Sequence, residues 1–155
     1  MVASLPLIAL AVSTLSLVSA AGPIQTGGFA TWFTQGGIAG ACGQVHSDSD
    51  FIAAIDQARY GDLGAVSSLC GKQVSITNNN NGNSVTVTIV DACPTCSNSN
   101  SFDLSLGAFE AIGDLSDGRL PILDALIVTL NRSFVELRLE LSPNDLSHVS
   151  SQTGV

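Results

Sequence analysis

The stretch Val87-Thr88-Ile89-Val90-Asp91-Ala92-Cys93-Pro94-Thr95-Cys96 sets the reading of the whole chain. It begins as a strand, with Val85, Val87 and Ile89 on one face and Thr86 and Thr88 on the other, because side chains alternate along an extended backbone. It ends on a carboxylate and two cysteines three positions apart. Just upstream, Lys72 to Thr77 alternates in the same way. Between the two runs lies Asn78-Asn79-Asn80-Asn81-Gly82-Asn83, where Asn81-Gly82 supplies the positive φ angles of a hairpin turn.

Downstream, Ser97-Asn98-Ser99-Asn100-Ser101 reads as loop. A redox C-x-x-C lowers its thiol pKa at a helix N-terminus, and this one has none. A structural zinc site would need a second closely spaced ligand pair. Cys42 and Cys70 are far apart with no adjacent His, so no metal and no cofactor is expected. Four cysteines predict two disulfides, and three pairings stay open.

Gly27-Gly28-Phe29-Ala30-Thr31-Trp32-Phe33-Thr34 is a further β-prone run, followed by a loop marked by Gly36-Gly37 and Gly40. A Ser47/Asp50 capping box precedes Phe51, Ile52, Ile55 and Ala58. That spacing predicts a helix of about two turns, ended by Tyr60-Gly61-Asp62. Asp48 and Asp50 then read as residues stabilised at a helix start, and His46 as a loop or core residue. Ser105 caps a second short helix, with Leu106, Phe109 and Ile112 inward and Gly113 at its end. Short strands, tight turns and two short helices predict a mainly-β barrel with helical insertions. A chain of 155 residues without repeat or linker suits one domain.

Thirteen acidic against five basic side chains give a net charge of −8, which excludes a nucleic-acid binder because no basic stripe exists to release counterions. A P-loop also fails, since Gln73 follows Gly71-Lys72 and Val66 stands where the first Gly belongs. Residues 1–20 carry no charged side chain, contain the apolar run Leu5 to Val12, and end on Val18-Ser19-Ala20. This reads as a signal peptide cleaved before Ala21, with Ser13, Thr14, Ser16 and Ser19 breaking the run too soon for a membrane anchor. The expected product is secreted, extracellular and free of membrane after cleavage.

Several blocks stand in fixed order: Gly28-Phe29-Ala30-Thr31-Trp32-Phe33, Gly40-Ala41-Cys42-Gly43, Cys70-Gly71-Lys72, the Val87–Cys96 stretch, Phe102-Asp103-Leu104-Ser105 with Ala108-Phe109, and Gly118-Arg119-Leu120-Pro121-Ile122. Together they closely resemble the secreted double-psi β-barrel proteins, the group of expansins, barwin and the rare lipoprotein A domain, in their short fungal single-domain form. The resemblance implies a six-stranded barrel with a shallow groove that binds cell-wall polysaccharide in several members. It also implies a Cys42–Cys70 disulfide, which leaves Cys93 for Cys96. On this reading 21–122 is the barrel and 123–155 a divergent or artefactual tail. The closing strand is open, because no aromatic residue follows Ile122 where relatives carry one. The only N-glycosylation sequon, Asn131-Arg132-Ser133, falls in that tail.

The groove positions carried over by the resemblance are Thr31, Asp91 and Asp103. Two carboxylates facing one groove would repel and raise one pKa, making Asp103 a candidate acid. The alternative is structural: Asp91 accepting N–H bonds from the Cys93–Cys96 turn, and Asp103 bracing the helix after Ser105. Related endoglucanases carry a water-activating base shortly after the first-strand aromatics, where this chain has Thr34-Gln35-Gly36-Gly37. Ser101-Phe102 replaces the His of plant expansins. Hydrolysis is therefore not expected, whereas a lytic transglycosylase would need only one acid.

Trp32, Phe33 and Tyr60 are the aromatics able to stack on sugars. Trp32 and Phe33 cannot both face the groove, and if Thr31 does, parity points Phe33 there. The expected function is an expansin-like, monomeric wall protein binding polysaccharide without hydrolysis. The rival reading is a protease inhibitor presenting the loops Gly36–Gly40 and Pro94–Asn100 to a secreted protein.

Overall fold

The computed structural model describes residues 18–130. Most of the expected leader and everything beyond Leu130, including the sequon, lie outside the described residues. Ala20–Val128 forms one compact unit. Its elements are β1 (Val18–Phe33), β2 (Ile52–Asp56), α1 (Gln57–Tyr60), β3 (Gln73–Asn78), β4 (Ser84–Cys93), β5 (Phe102–Ser105), α2 (Leu106–Glu110), a 3-10 turn (Leu115–Asp117) and β6 (Leu120–Leu130). The six strands close into a barrel in the order β1-β5-β2-β4-β3-β6.

Alternation fills the interior. Ala30, Ala53 and Ile55, Val74 and Ile76, Val85, Val87 and Ile89, Phe102 and Leu104, and Leu120 and Ile122 point inward and are buried. Phe109 and Ile112, from α2 and the turn after it, pack onto the same core. Fully burying a side chain such as Phe102 or Phe109 contributes about 1.5–3 kcal/mol. The β3–β4 hairpin forms as expected, with positive φ at Gly82 only; the Gly82 N–H donates to the Asn78 carbonyl at 2.8 Å. Ser105 caps α2, its hydroxyl accepting from the Ala108 N–H.

One expectation is corrected. The run after Asp50 is not a two-turn helix but strand β2, followed by the single helical turn α1. The Ser47 and Asp50 side chains do bond, yet they close a turn. Asp48 and Asp50 therefore sit at no helix start: Asp48 accepts from the Gln35 N–H at 2.6 Å, and Asp50 faces His46 Nδ1 at 3.5 Å. The physical reason is burial on both faces. All five residues of β2 are buried between parallel β4 and antiparallel β5, and such a strand shows no alternation.

The disulfides are Cys42–Cys70 and Cys93–Cys96, the pairing implied by the family pattern. β6 pairs with β3 antiparallel from Ile122 opposite Asn78 to Ile127 opposite Gln73, so barrel pairing runs past Ile122. On its other side β6 meets β1: Gly22 packs on the Leu126 carbonyl, and Phe29 lies under Arg119. As β1 ascends from 22 to 29, β6 descends from 126 to 119, which makes the two antiparallel.

Candidate functional site

The outer face of four adjacent strands brings distant residues into one row. Thr31 of β1 pairs with Asp103 of β5, Asp103 with Ala54 of β2, and Ala54 with Asp91 of β4. Parity alone would turn Asp91 inward after Val85, Val87 and Ile89. A bulge prevents this. Ala53 pairs with Ile89 and Ala54 with Asp91, so Val90 is the extra residue and Asp91 is rotated to the outside. Between the two acids the row holds only the methyl group of Ala54, itself buried at 3% exposure, across two strand spacings, about 10 Å.

The two carboxylates differ in what they do. Asp103 Oδ1 accepts a 2.7 Å hydrogen bond from the Thr31 hydroxyl. Burial holds its carboxyl above the ordinary carboxylate range, and the Thr31 bond offsets part of that rise. Asp91 Oδ1 accepts from the backbone N–H of Ala41 at 2.7 Å and of Ala92 at 2.8 Å. Gly40 packs against it so closely that a Cβ there would lie 2.9 Å from the Asp91 carboxyl carbon. Asp91 therefore ties the Gly40–Ala41 turn to the end of β4. This is a bracing role, though for a turn other than the Cys93–Cys96 one. Asp103 bonds across to β1 and does not brace α2.

The aromatics divide. Phe33 shares the outer face with Thr31, one step further along β1 and beside Ser105. Trp32 lies on the other side of the strand and is 38% exposed; its indole N–H donates to the Leu115 carbonyl at 3.1 Å. That places it by the 3-10 turn, where a cavity of about 310 Å³ is lined by Glu110, Gly113, Asp114 and Leu115, away from the Thr31–Asp103 pair. Tyr60 is buried and offers no platform: its hydroxyl donates to the Ala41 carbonyl at 3.0 Å, pinning the loop that carries Cys42. Ala54 was missed from sequence because an alanine carries no chemical signal. No group of His, Cys, Asp and Glu among the described residues could hold a metal ion.

A closed six-stranded barrel with crossed parallel pairings is the architecture of the double-psi class. Residues 25–123 match the family described as "Lytic transglycolase", and the chain belongs to this rare lipoprotein A-like double-psi β-barrel family. Among solved structures it is similar to the Streptomyces papain inhibitor, at 29% identity and a TM-score of 0.59, over 70% of this chain and 96% of that one. It is also similar to the apo expansin of Clavibacter michiganensis, at 32% identity and a TM-score of 0.53, over 68% of this chain and 50% of that one. A point mutant of that expansin in complex with cellohexaose aligns at 28% identity and a TM-score of 0.51, over 74% of this chain and 51% of that one. The present chain thus spans about half the length of the expansins. Comparison with curated protein sequences gives no match.

Proposed function

We propose that this is a secreted, expansin-like protein that binds cell-wall polysaccharide along the Thr31–Asp103–Ala54–Asp91 floor without hydrolysing it. The observation that carries this reading is the division of labour between the two acids. Asp103 Oδ2 has no hydrogen-bond partner among the described residues, so it can accept a hydrogen bond from a sugar hydroxyl. Hydrolysis would also require a carboxylate poised to activate water. Asp91, the other acid of the row, braces the Gly40–Ala41 turn through Oδ1, and the Thr34-Gln35-Gly36-Gly37 stretch that follows the β1 aromatics carries no acid. The likeness to an expansin solved with cellohexaose agrees with a β-1,4-glucan as one ligand.

The test is retention on insoluble cellulose, chitin and peptidoglycan, with reducing-sugar release followed in parallel. Expected is retention on at least one wall polymer, weakened about tenfold by Asp103→Asn through loss of a charge-assisted hydrogen bond, with no sugar released. Sugar release that disappears in Asp103→Ala would overturn the non-hydrolytic part.

A second reading is supported by the 35–44 loop. Ile38 is 75% exposed on it, and the Cys42–Cys70 disulfide and the Asp48–Gln35 bond brace it. The similar papain inhibitor is covered over nearly its whole length. Inhibition of papain by the parent protein, lost in Ile38→Asp and kept in Asp103→Asn, would favour this reading over the first.

A further inference from the structure

The outer face carries one more feature, next to the floor and unused by it. Arg119 lies with its guanidinium carbon 3.5 Å from the centroid of the Phe29 ring. Phe29 precedes buried Ala30 and so shares the outer side of β1 with Thr31, about 7 Å away along the strand. Arg119, the residue before β6 and before buried Leu120, reaches that side from the start of the strand. The ring is therefore roofed by the cation, and the surface offered to a ligand here is a guanidinium plane.

Three observations mark this cation as unspent. Among the described residues no carboxylate lies within ion-pair distance of it, whereas Arg59 is paired with Asp124. The acids nearest in sequence are occupied, Asp117 accepting from the Asp114 N–H and Asp114 from Ser116 in a reciprocal cap. That cap, together with the left-handed backbone of Gly118, fixes where Arg119 leaves the turn. A guanidinium held flat on a ring loses little freedom when it binds, and its fork of donors matches a carboxylate.

We infer that Arg119, positioned by Phe29, is a subsite for the carboxylate of a single uronic acid unit in an otherwise neutral glycan lying on the Thr31–Asp103 floor. This rests on the glycan reading proposed above and adds a substrate class to it. The charges of the face set the pattern. One cation stands at one end, and two carboxylates, Asp103 and Asp91, lie beyond it. A sugar acid over Arg119 gains a bidentate pair, while a second acid one unit further would face Asp103. An uninterrupted polyuronate also meets the net charge of −8. An isolated carboxylate among neutral sugars fits; a polyanion does not.

The experiment measures binding of the full chain to three β-1,4-glucan hexamers by calorimetry: neutral cellohexaose, the hexamer with one C6 carboxylate, and the methyl ester of the latter. Expected is about tenfold tighter binding of the carboxylate form than of the other two, the scale of one charge-assisted contact. Arg119→Gln abolishes that gain and leaves cellohexaose binding unchanged. Phe29→Leu reduces the gain, and Arg119→Lys keeps part of it. Equal affinity for all three hexamers overturns the subsite while leaving the glycan reading intact, and so does an Arg119→Gln variant that keeps the gain. A lower melting temperature in Arg119→Gln with the gain preserved marks the stack as purely structural. Tighter binding of oligogalacturonate than of the singly charged hexamer overturns the single-carboxylate pattern. Failure of every hexamer to bind overturns the glycan reading and the subsite with it.

Discussion

Asp103 is a half-buried carboxyl with one hydrogen bond donated to it and a raised pKa. Its effect on stability has a definite sign. The unfolded carboxyl titrates near 3.8 and the folded one higher, so the folded state binds the proton more tightly. The stability tied to this group is full below pH 3.8 and is lost as pH rises through the folded pKa. Asp103→Asn keeps the acceptor for Thr31 and removes the titration. Its melting temperature should match the parent near pH 3 and exceed it near pH 7, and a pH series of thermal melts checks this. A lower melting temperature at neutral pH would mean that the charged form is structurally required. Thr31 and Asp103 were legible as positions of one face because both sit in blocks with fixed order, but the hydrogen bond between them was not. The partner of Asp91 was not, since the N–H it receives comes from Ala41, fifty positions upstream. Parity did place Phe33 with Thr31, and it follows from the inward turn of Ala30 alone.

Elements were legible where one face of a strand meets water. β3 and β4 alternate, and their hairpin was placed within a residue or so. β2 was misread because the burial of both faces erased the alternation and left Ile52, Ile55 and Ala58 at a helical spacing. The helical turn after β2 reaches across to the closing strand. α1 carries Arg59 to within 3.1 Å of Asp124 on β6 and 5.3 Å from the Phe102 ring centroid. Asp124 pairs with Ile76, a core residue, so this carboxylate points into the barrel. Its Oδ1 is buried without a partner, and burial raises its pKa in spite of the arginine. A pair that is incompletely satisfied costs about as much desolvation as its attraction returns, yet breaking one half strands a charge. Asp124→Ala should lower unfolding free energy by about 3 kcal/mol, whereas Arg59→Met with Asp124→Leu should return to within about 1 kcal/mol of the parent. Urea melts of the single and double variants decide it. A double variant as unstable as the single one would show that the ion pair itself holds α1 on the barrel.

The strand order of the whole barrel could not come from periodicity. β1 finds β5 some seventy positions away, β2 lies between β5 and β4, and no local pattern encodes such crossings. Only the ordered family blocks carried that information, and they stop at Ile122, beyond which the sequence left a divergent closing strand and an artefactual tail as alternatives. The structure gives the residues that follow a place in the barrel sheet. Leu123 to Ile127 pair with Thr77 to Gln73 on one side, and Leu126 backs onto Gly22 of β1 on the other. Removing everything after Ile122 would free the edges of β3 and β1 together and leave Arg59 without Asp124. Five ladder residues at about 1 kcal/mol each, plus about 3 kcal/mol for a stranded cation, approach the whole stability of a domain this size. The chain truncated after Ile122 should therefore lose its cooperative thermal transition and become sensitive to dilute protease. Adding Arg59→Met should restore part of the protease resistance, because it removes the unpaired, partly buried charge but not the open edges. A truncated protein that melts cooperatively near the parent temperature would mean that β1 and β3 close the barrel without β6.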